Sequence, residues 1–389
     1  MSKTKPRIAV FWDRMGGITE AKIAGEEVKQ LNNVGINTDL LLIERCPPSK
    51  YEHFLSGIAI ENLQDQAPAI FRKNFKIPGF SFLSSSHIFS PLFSSFTLTK
   101  KYDILITHQT FTCFTAYSLQ KYRNIPYLAL IWDPITYILQ KVYVDASLSF
   151  FLPILKIMGY NLDKIISSAA KVVILPSRYH LNLMKRITDK PIEIVYPGTD
   201  PAIKIPDERG KYLLAVARWE RGKKPFFVLD VLEGLKKKGV TPTLSMVGRW
   251  RTQKLRENFL KDAKRRGVEK QINLFGHVNE IMLKKLYFGT RVLLHPINES
   301  FGMIGLEATA HGAPIIIPRN SGVTDLFKDG VHGYFPMEGD VNGYVENIER
   351  LLTNERLAWK MGHKAWKVSK QYTWKNHANE LKKVIQRFI

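Results

Sequence analysis

Short apolar runs recur along the chain, separated by stretches in which apolar positions return every three or four residues. Ile8–Trp12, Thr38–Ile43, Tyr102–Thr107, Tyr127–Trp132, Val172–Leu175 and Ile192–Tyr196 are runs of the first kind. Each has the length and composition of a buried parallel strand. Ile18–Asn32 and Arg178–Arg186 have helical spacing. Pro197-Gly198-Thr199-Asp200-Pro201 then breaks the pattern as a linker would, and it restarts. Strands are expected at Tyr212–Ala217, Thr243–Val247, Ile272–Phe275, Val292–Leu294 and Pro314–Ile317, with helices at Phe226–Lys238 and Leu255–Arg266. Asn342–Ile389 is helical in pattern and carries Trp359, Trp366 and Trp374. Alternating strand and helix predicts an α/β protein of two consecutive doubly wound, Rossmann-like domains. The expected division is residues 1–196, residues 197–370, and a C-terminal helix over 371–389 that packs back on the first domain.

One stretch fits neither period. In 71–99, Phe71, Phe75, Phe80, Phe82, Phe89, Phe93 and Phe96 are interleaved with Ser, Gly and Pro. This reads either as an apolar loop that meets lipid or a hydrophobic acceptor, or as an insertion packed into the core. Leu148–Tyr160 is an apolar stretch interrupted by Pro153 and Lys156, and a helix covering the sheet is preferred there over a membrane-facing one.

Composition narrows the class. With 389 residues the chain has room for two domains, and a 45% hydrophobic content excludes a disordered one. A net charge of +22 favours anionic partners such as nucleotides, phospholipid surfaces or nucleic acid. Both halves are basic, which argues against an appended nucleic-acid arm. Cys46 and Cys113 are too few for a disulfide framework or a zinc site and read as buried thiols of a reducing compartment. The first residues do not resemble a signal peptide, and no apolar run is long enough for a membrane span. A cytoplasmic protein is expected, with attachment to the inner face of the membrane as a secondary expectation.

The stretch with the most chemistry is Asn298–Pro314. Val292–Leu294 feeds a loop bearing Glu299, Ser300, Phe301 and Gly302, and Met303 to about Ala310 has helical character. Backbone N–H groups at a helix start suit an anion, most simply phosphate. Glu299 and Glu307 stand eight residues apart, about 2.2 helical turns, which places them on one side. Glu307 is suited to accept hydrogen bonds from ribose hydroxyls. His108 and Asp133 fall at strand C-terminal ends, where open α/β sheets bind ligands. Gly16-Gly17, after the first strand, would let a phosphate or sugar approach the backbone, or form no more than a tight turn. There is no G-x-G-x-x-G and no Walker A loop.

Several motifs in one order resemble the retaining glycosyltransferases of the GT-B fold, glycosyltransferase family 4. Ala217-Arg218…Lys223 resembles that family's Gly-Arg…Lys loop, and Glu299 through Glu307 resembles its E-x7-E signature. Gly312-Ala313-Pro314, Gly322 and Asp329-Gly330-Val331-His332-Gly333 follow as the family's do. The resemblance is strong from about residue 195 to 335 and thinner before. It implies two domains facing across a cleft, and a sugar moved from a nucleotide-diphosphate donor to a saccharide or lipid-linked acceptor. It assigns catalysis to His108, Arg218, Lys223 and Glu299. Donor binding falls to Gly16, Gly17, Gly248, Ser300, Phe301, Gly302, Met303, Ile304 and Glu307. His108 is implied near the sugar, donating a hydrogen bond to a hydroxyl or stabilising the transition state. No Asp-x-Asp is present, so no metal or other cofactor is expected. An anionic membrane surface is a secondary expected partner, and no nucleic acid is expected. Three departures stand out: Ala217 and Lys224 where the family has glycine, and Pro197 where it has asparagine. The alternatives are a phosphorylase or sugar-nucleotide epimerase of the same fold and, more remotely, a nucleic-acid-binding protein.

Overall fold

The computed structural model describes residues 6–46, 48–72, 74–75, 77, 84–141 and 150–389. The chain separates into two compact units, Met1–Gly198 with Trp374–Ile389, and Thr199–Thr373. Most of the Phe-rich stretch before residue 84, including Phe80 and Phe82, and the start of Leu148–Tyr160 lie outside the described residues.

The first unit is built on seven strands: β1 (Arg7–Trp12), β2 (Asn37–Leu42), β3 (Ile60–Asn62), β4 (Ile104–His108), β5 (Tyr127–Leu130), β6 (Val173–Leu175) and β7 (Ile192–Ile194). They pair in parallel in the order β3-β2-β1-β4-β5-β6-β7. Ile8 lies opposite Thr38 on one side and Ile104 on the other. The strand order reverses between β1 and β4, the place where such sheets hold ligands. Five of the six residues of β1 are buried, as a strand covered on both faces requires.

The second unit repeats the plan with β8 (Tyr212–Val216), β9 (Thr243–Val247), β10 (Ile272–Gly276), β11 (Val292–Leu294), β12 (Ile315–Ile316) and β13 (Gly333–Tyr334). Their order is β10-β9-β8-β11-β12-β13, so the reversal falls between β8 and β11. Its core joins Leu213 and Ala215 of β8 to Val228, Leu232 and Leu235 of the helix Pro225–Lys237. Two short edge strands, β3 and β13, were not expected; neither Ile60-Glu61-Asn62 nor Gly333-Tyr334 carries an apolar run.

The segment 71–99 ends as a helix, Ser85–Thr97, which corrects the reading that no regular element fits there. Ser84 starts it: its side chain accepts at the first turn while His87 Nδ1 accepts from the Ser84 N–H at 3.0 Å. The helix buries Ser86, Ser90, Ser94 and Thr97 and exposes Ile88, Leu92 and Phe96. Small hydroxyl residues let it approach the helix Thr110–Arg123 closely, with Ser90 Oγ 2.7 Å from Thr115 Oγ1. Phe93 is buried as well, so serines share the inward face with an aromatic ring and the hydrophobic pattern misleads at this point. The C-terminal helix Trp374–Ile385 belongs to the first unit, where Lys382 Nζ donates to the carbonyl of Val34 at 2.6 Å.

The helix Leu152–Ala169 buries only Gly159, Asp163, Ile166 and Ser167. Asp163 accepts from the backbone N–H of Ile135 at 2.9 Å and of Thr136 at 2.8 Å, and from the Thr136 hydroxyl at 2.7 Å. It thereby caps the helix Ile135–Lys141. Burial nevertheless outweighs these donors and pushes the Asp163 carboxyl up to about 6 from 3.8. A raised folded-state pKa means that the group's protonated form stabilises the fold below 3.8 and that this contribution is lost as pH rises through about 6. Asp163→Asn should therefore flatten the stability–pH profile between about pH 4 and 6 in urea unfolding. Asp163→Ala, which leaves two buried N–H groups without an acceptor, should cost about 2–4 kcal/mol.

Candidate functional site

In the second unit the loops after β8 and β11 meet, because the two strands are hydrogen-bonded neighbours. Lys223 ends the short 3-10 turn Arg221–Lys223, and its ammonium donates to Glu299 Oε1. Glu299 Oε2 lies 3.3 Å from Nε2 of His295, which is buried immediately after β11. Burial raises the Glu299 carboxyl, but Lys223 and then His295 outweigh it and hold the group well below the usual carboxylate range. The loop is anchored by Phe301, which is fully buried, and by the segment Gly322–Leu326. Gly322 N donates to the Glu299 carbonyl at 2.9 Å and Val323 N to that of Phe301 at 2.6 Å.

The helix runs from Met303 to Ala310, and Gly302 enters it with φ +94°, where a side chain would be strained. Glu299 therefore lies in the loop before the helix. The 2.2-turn spacing does not apply, and only Glu307 is on the helical surface. Tyr287 Oη donates to Glu307 Oε2 at 3.1 Å, and His311 donates from Nδ1 to the Glu307 carbonyl at 2.8 Å. Tyr287 also stacks on His311, so the ring that holds the carboxylate is itself held in place. Gly302, Met303, Ile304 and Ser300 are half-buried around the helix start.

Arg218 does not join the Lys223–Glu299 pair. Its side chain is 64% exposed and lies 3.5 Å from Glu220 Oε1, while Arg251, not anticipated from sequence, holds Glu220 Oε2 at 2.8 Å. Lys224 has φ +47°, which explains the glycine the family prefers at that position. Here its ammonium is held at 2.6 Å by Glu338, which in turn accepts from Asn298 at 2.5 Å. Gly248 is constrained by the backbone around it. Its N–H already donates to the Gly276 carbonyl at 2.6 Å, and a Cβ there would fall 1.8 Å from the Ala217 carbonyl oxygen.

In the first unit Gly16 and Gly17 precede the helix Ile18–Asn33. Neither has a left-handed φ, and the nearest atoms a Cβ would meet belong to the Glu20 carboxyl group. Their lack of side chains leaves room rather than relieving strain. His108 is wholly buried at the end of β4, where it lies against Glu27 and stacks on Trp12. Glu27 was not singled out from sequence, because a glutamate beside Glu26 in a charged helix reads as solvated. Asp13 and His87 were missed in the same way: Asp13 Oδ2 accepts from His87 Nε2 at 2.7 Å at the end of β1. The residue after His108, Gln109, has φ +74° and ψ +147°, a strained conformation at the same sheet edge. Asp133 pairs with His180 at 2.9 Å at the end of β5. Among the described residues no group of three His, Cys, Asp or Glu side chains is arranged to hold a metal ion.

Residues 199–368 match the sequence family described as Glycosyl transferases group 1. Those residues take in the Lys223–Glu299 pair, Gly248 and the helix Met303–Ala310. An uncharacterized glycosyltransferase of Methanocaldococcus jannaschii is 30% identical over 116 residues, which is 29% of this chain and 30% of that protein's length. Among solved structures, the sucrose-phosphate synthase of Thermosynechococcus elongatus aligns with a TM-score of 0.77 at 16% identity over 98% of both chains. Anabaena HepE, in complex with UDP and glucose, aligns with a TM-score of 0.75 at 13% identity over 98% of this chain and 100% of that one. At such identities the structural likeness establishes the fold, which is GT-B.

Gly248→Ala combines a close contact with a φ of +122° and should cost at least about 3 kcal/mol in denaturant unfolding. Gly276→Ala, at φ +64° with nothing within 4 Å, should cost only about 1 kcal/mol. Equal losses would show that the Ala217 crossing is not a constraint.

Proposed function

We propose that the protein is a metal-independent retaining glycosyltransferase of glycosyltransferase family 4. It would move a sugar from a nucleotide-diphosphate donor to a saccharide or lipid-linked acceptor. The observation that carries this is the Lys223–Glu299–His295 chain ahead of the helix Met303–Ala310, inside the stretch that matches Glycosyl transferases group 1. Transfer breaks the bond between the anomeric carbon and the diphosphate and forms one to the acceptor oxygen. The leaving diphosphate gains negative charge, and preorganised cations and N–H groups beside it lower the barrier.

Lys223 supplies a fixed ammonium, and Arg218, exposed and only loosely tied, supplies a bidentate guanidinium. The N–H groups of the first helical turn, at Met303 and Ile304, add to them. Glu307, braced by Tyr287, is placed to accept from ribose hydroxyls, and Glu299 from a sugar hydroxyl in exchange for Lys223. Retention without a protein nucleophile follows if the acceptor enters on the face the phosphate leaves, its proton passing to the departing phosphate oxygen. HepE, described with UDP, makes a uridine donor the first to try.

Arg218→Ala with Lys223→Ala should lower transfer by about 10²-fold or more while circular dichroism stays that of a folded protein. Full activity in that double variant would sink the assignment. Thermal unfolding with UDP, GDP and ADP identifies the base: the correct diphosphate at 100 times its Kd stabilises by about 2.7 kcal/mol.

A second observation bears on the acceptor. The helix Leu152–Ala169 exposes Ile154, Ile157, Met158 and Ile165, with Phe150 87% exposed just before it, and the helix Ser85–Thr97 exposes Ile88, Leu92 and Phe96. Among the described residues no helix is long and apolar enough to cross a membrane. Two apolar helical faces on a chain of net charge +22 suit an anionic lipid surface, where a lipid-linked acceptor would be found. The chain should sediment with phosphatidylglycerol vesicles at low salt, and Ile157→Glu with Leu92→Glu should weaken this. Failure of the unaltered chain to sediment would remove the membrane and leave transfer standing.

A further inference from the structure

His108 is the one residue of the expected catalytic set with no exposed surface. Its ring is held on three sides by groups of the first unit. Trp12 stacks on it with centroids 4.5 Å apart and planes 13° from parallel. Nε2 lies 3.0 Å from Oε1 and 2.9 Å from Oε2 of Glu27, which is itself fully buried on the helix Ile18–Asn33. On the other edge the half-exposed Trp132 directs its indole N–H to Nδ1 at 3.4 Å.

These neighbours dictate the tautomer. An indole N–H only donates, so Nδ1 must offer a lone pair; an ionised carboxylate only accepts, so Nε2 must carry the proton. The Glu27 carboxylate faces Nε2 of His108 and Nε2 of His377, and hydrogen bonding from these rings favours its ionised form against the cost of burial. His377, on the C-terminal helix Trp374–Ile385, turns Nδ1 to the Tyr196 carbonyl at 2.8 Å and Nε2 toward Glu27 Oε2 at 3.6 Å. With its proton on Nε2, His108 cannot donate to a sugar hydroxyl, because that N–H faces inward to Glu27. The nitrogen it offers a ligand is an acceptor, screened by one long hydrogen bond from Trp132. A buried carboxylate is a costly way to fill space, and orienting an imidazole is what this one achieves.

We propose that Glu27 is a positioning residue for sugar transfer. It fixes His108 as the Nε2–H tautomer so that Nδ1 accepts a hydrogen bond from a saccharide hydroxyl, which displaces the Trp132 indole. The role rests on the transferase assignment; the tautomer can be read without it. Protein labelled with ¹⁵N-histidine should show, for the signal removed by His108→Gln, a neutral ring with Nδ1 unprotonated. Glu27→Gln, whose amide can donate as well as accept, should mix the two tautomers. It should also lower kcat by about tenfold or more with the donor KM nearly unchanged. Trp132→Phe removes the competing donor and should lower the KM for the saccharide that meets His108.

A His108 signal with Nδ1 protonated, or a Glu27→Gln enzyme with both tautomer and kcat unchanged, overturns the proposal while transfer by the unaltered protein stands. If Glu27→Gln does not fold, the unaltered protein's spectrum and a Trp132→Phe variant with unchanged KM still decide against it. Absence of transfer with every donor, alongside the expected spectrum, overturns the transferase assignment and the role with it.

Discussion

The bond between the Lys223 ammonium and the Glu299 carboxylate is the contact on which the second unit's site depends. It joins two loops 76 residues apart in sequence that become neighbours only because β8 and β11 pair where the strand order reverses. Parallel pairing sends every strand of the sheet to the same edge, so the residues after each strand converge without any further device. Fixing Glu299 as an anion then costs burial, and the cation repays it with His295 behind. The loop between Glu299 and the helix is in turn held by the Gly322 segment and the buried Phe301 ring. A charged pair, a glycine with positive φ and one aromatic anchor thus aim the start of a helix.

The first unit solves the same problem with different material. At the ends of β1, β4 and β5 it places Asp13 against His87, Glu27 against His108 and Asp133 against His180. Each imidazole is oriented by a carboxylate from another part of the chain. Gln109 adds strain at the central strand end, with its carbonyl accepting from the Thr112 hydroxyl at 2.8 Å. Rigid, oriented polar groups at a sheet edge cost stability that the buried strands behind them offset.

Strand positions were readable because a parallel sheet buries both faces of each strand and leaves uninterrupted apolar runs such as Val292–Leu294, found as expected. The helix from Met303 to Ala310 was readable as well, since Gly302 marks its entry. Ser85–Thr97 was not, because it buries its serines, and pattern reading assumes the opposite. Lys223 and Glu299 each stand out in a short local motif, although the contact that joins them does not show in the sequence. Glu27, Asp13, Tyr287 and Arg251 were not singled out for their roles, since each acts only through a partner brought up by topology. Lys224 is instructive: the departure from glycine was plain in the sequence, but the left-handed φ it must tolerate and the Glu338 that holds it were not.

The C-terminal helix gives the chain an unusual order of assembly. Residues 374–389 complete a unit whose other 198 residues come first, and the whole second unit is made in between. His377 reaches Glu27, and Lys382 reaches Val34, only after the second unit has been synthesised. During synthesis a first unit therefore emerges whose buried carboxylate still lacks one imidazole, then the second unit, and only afterwards the helix that joins the first. The second unit is contiguous in sequence and the first is not. A nascent or truncated chain ending before Trp374 therefore contains all of the Lys223–Glu299 site while leaving open the wall behind His108.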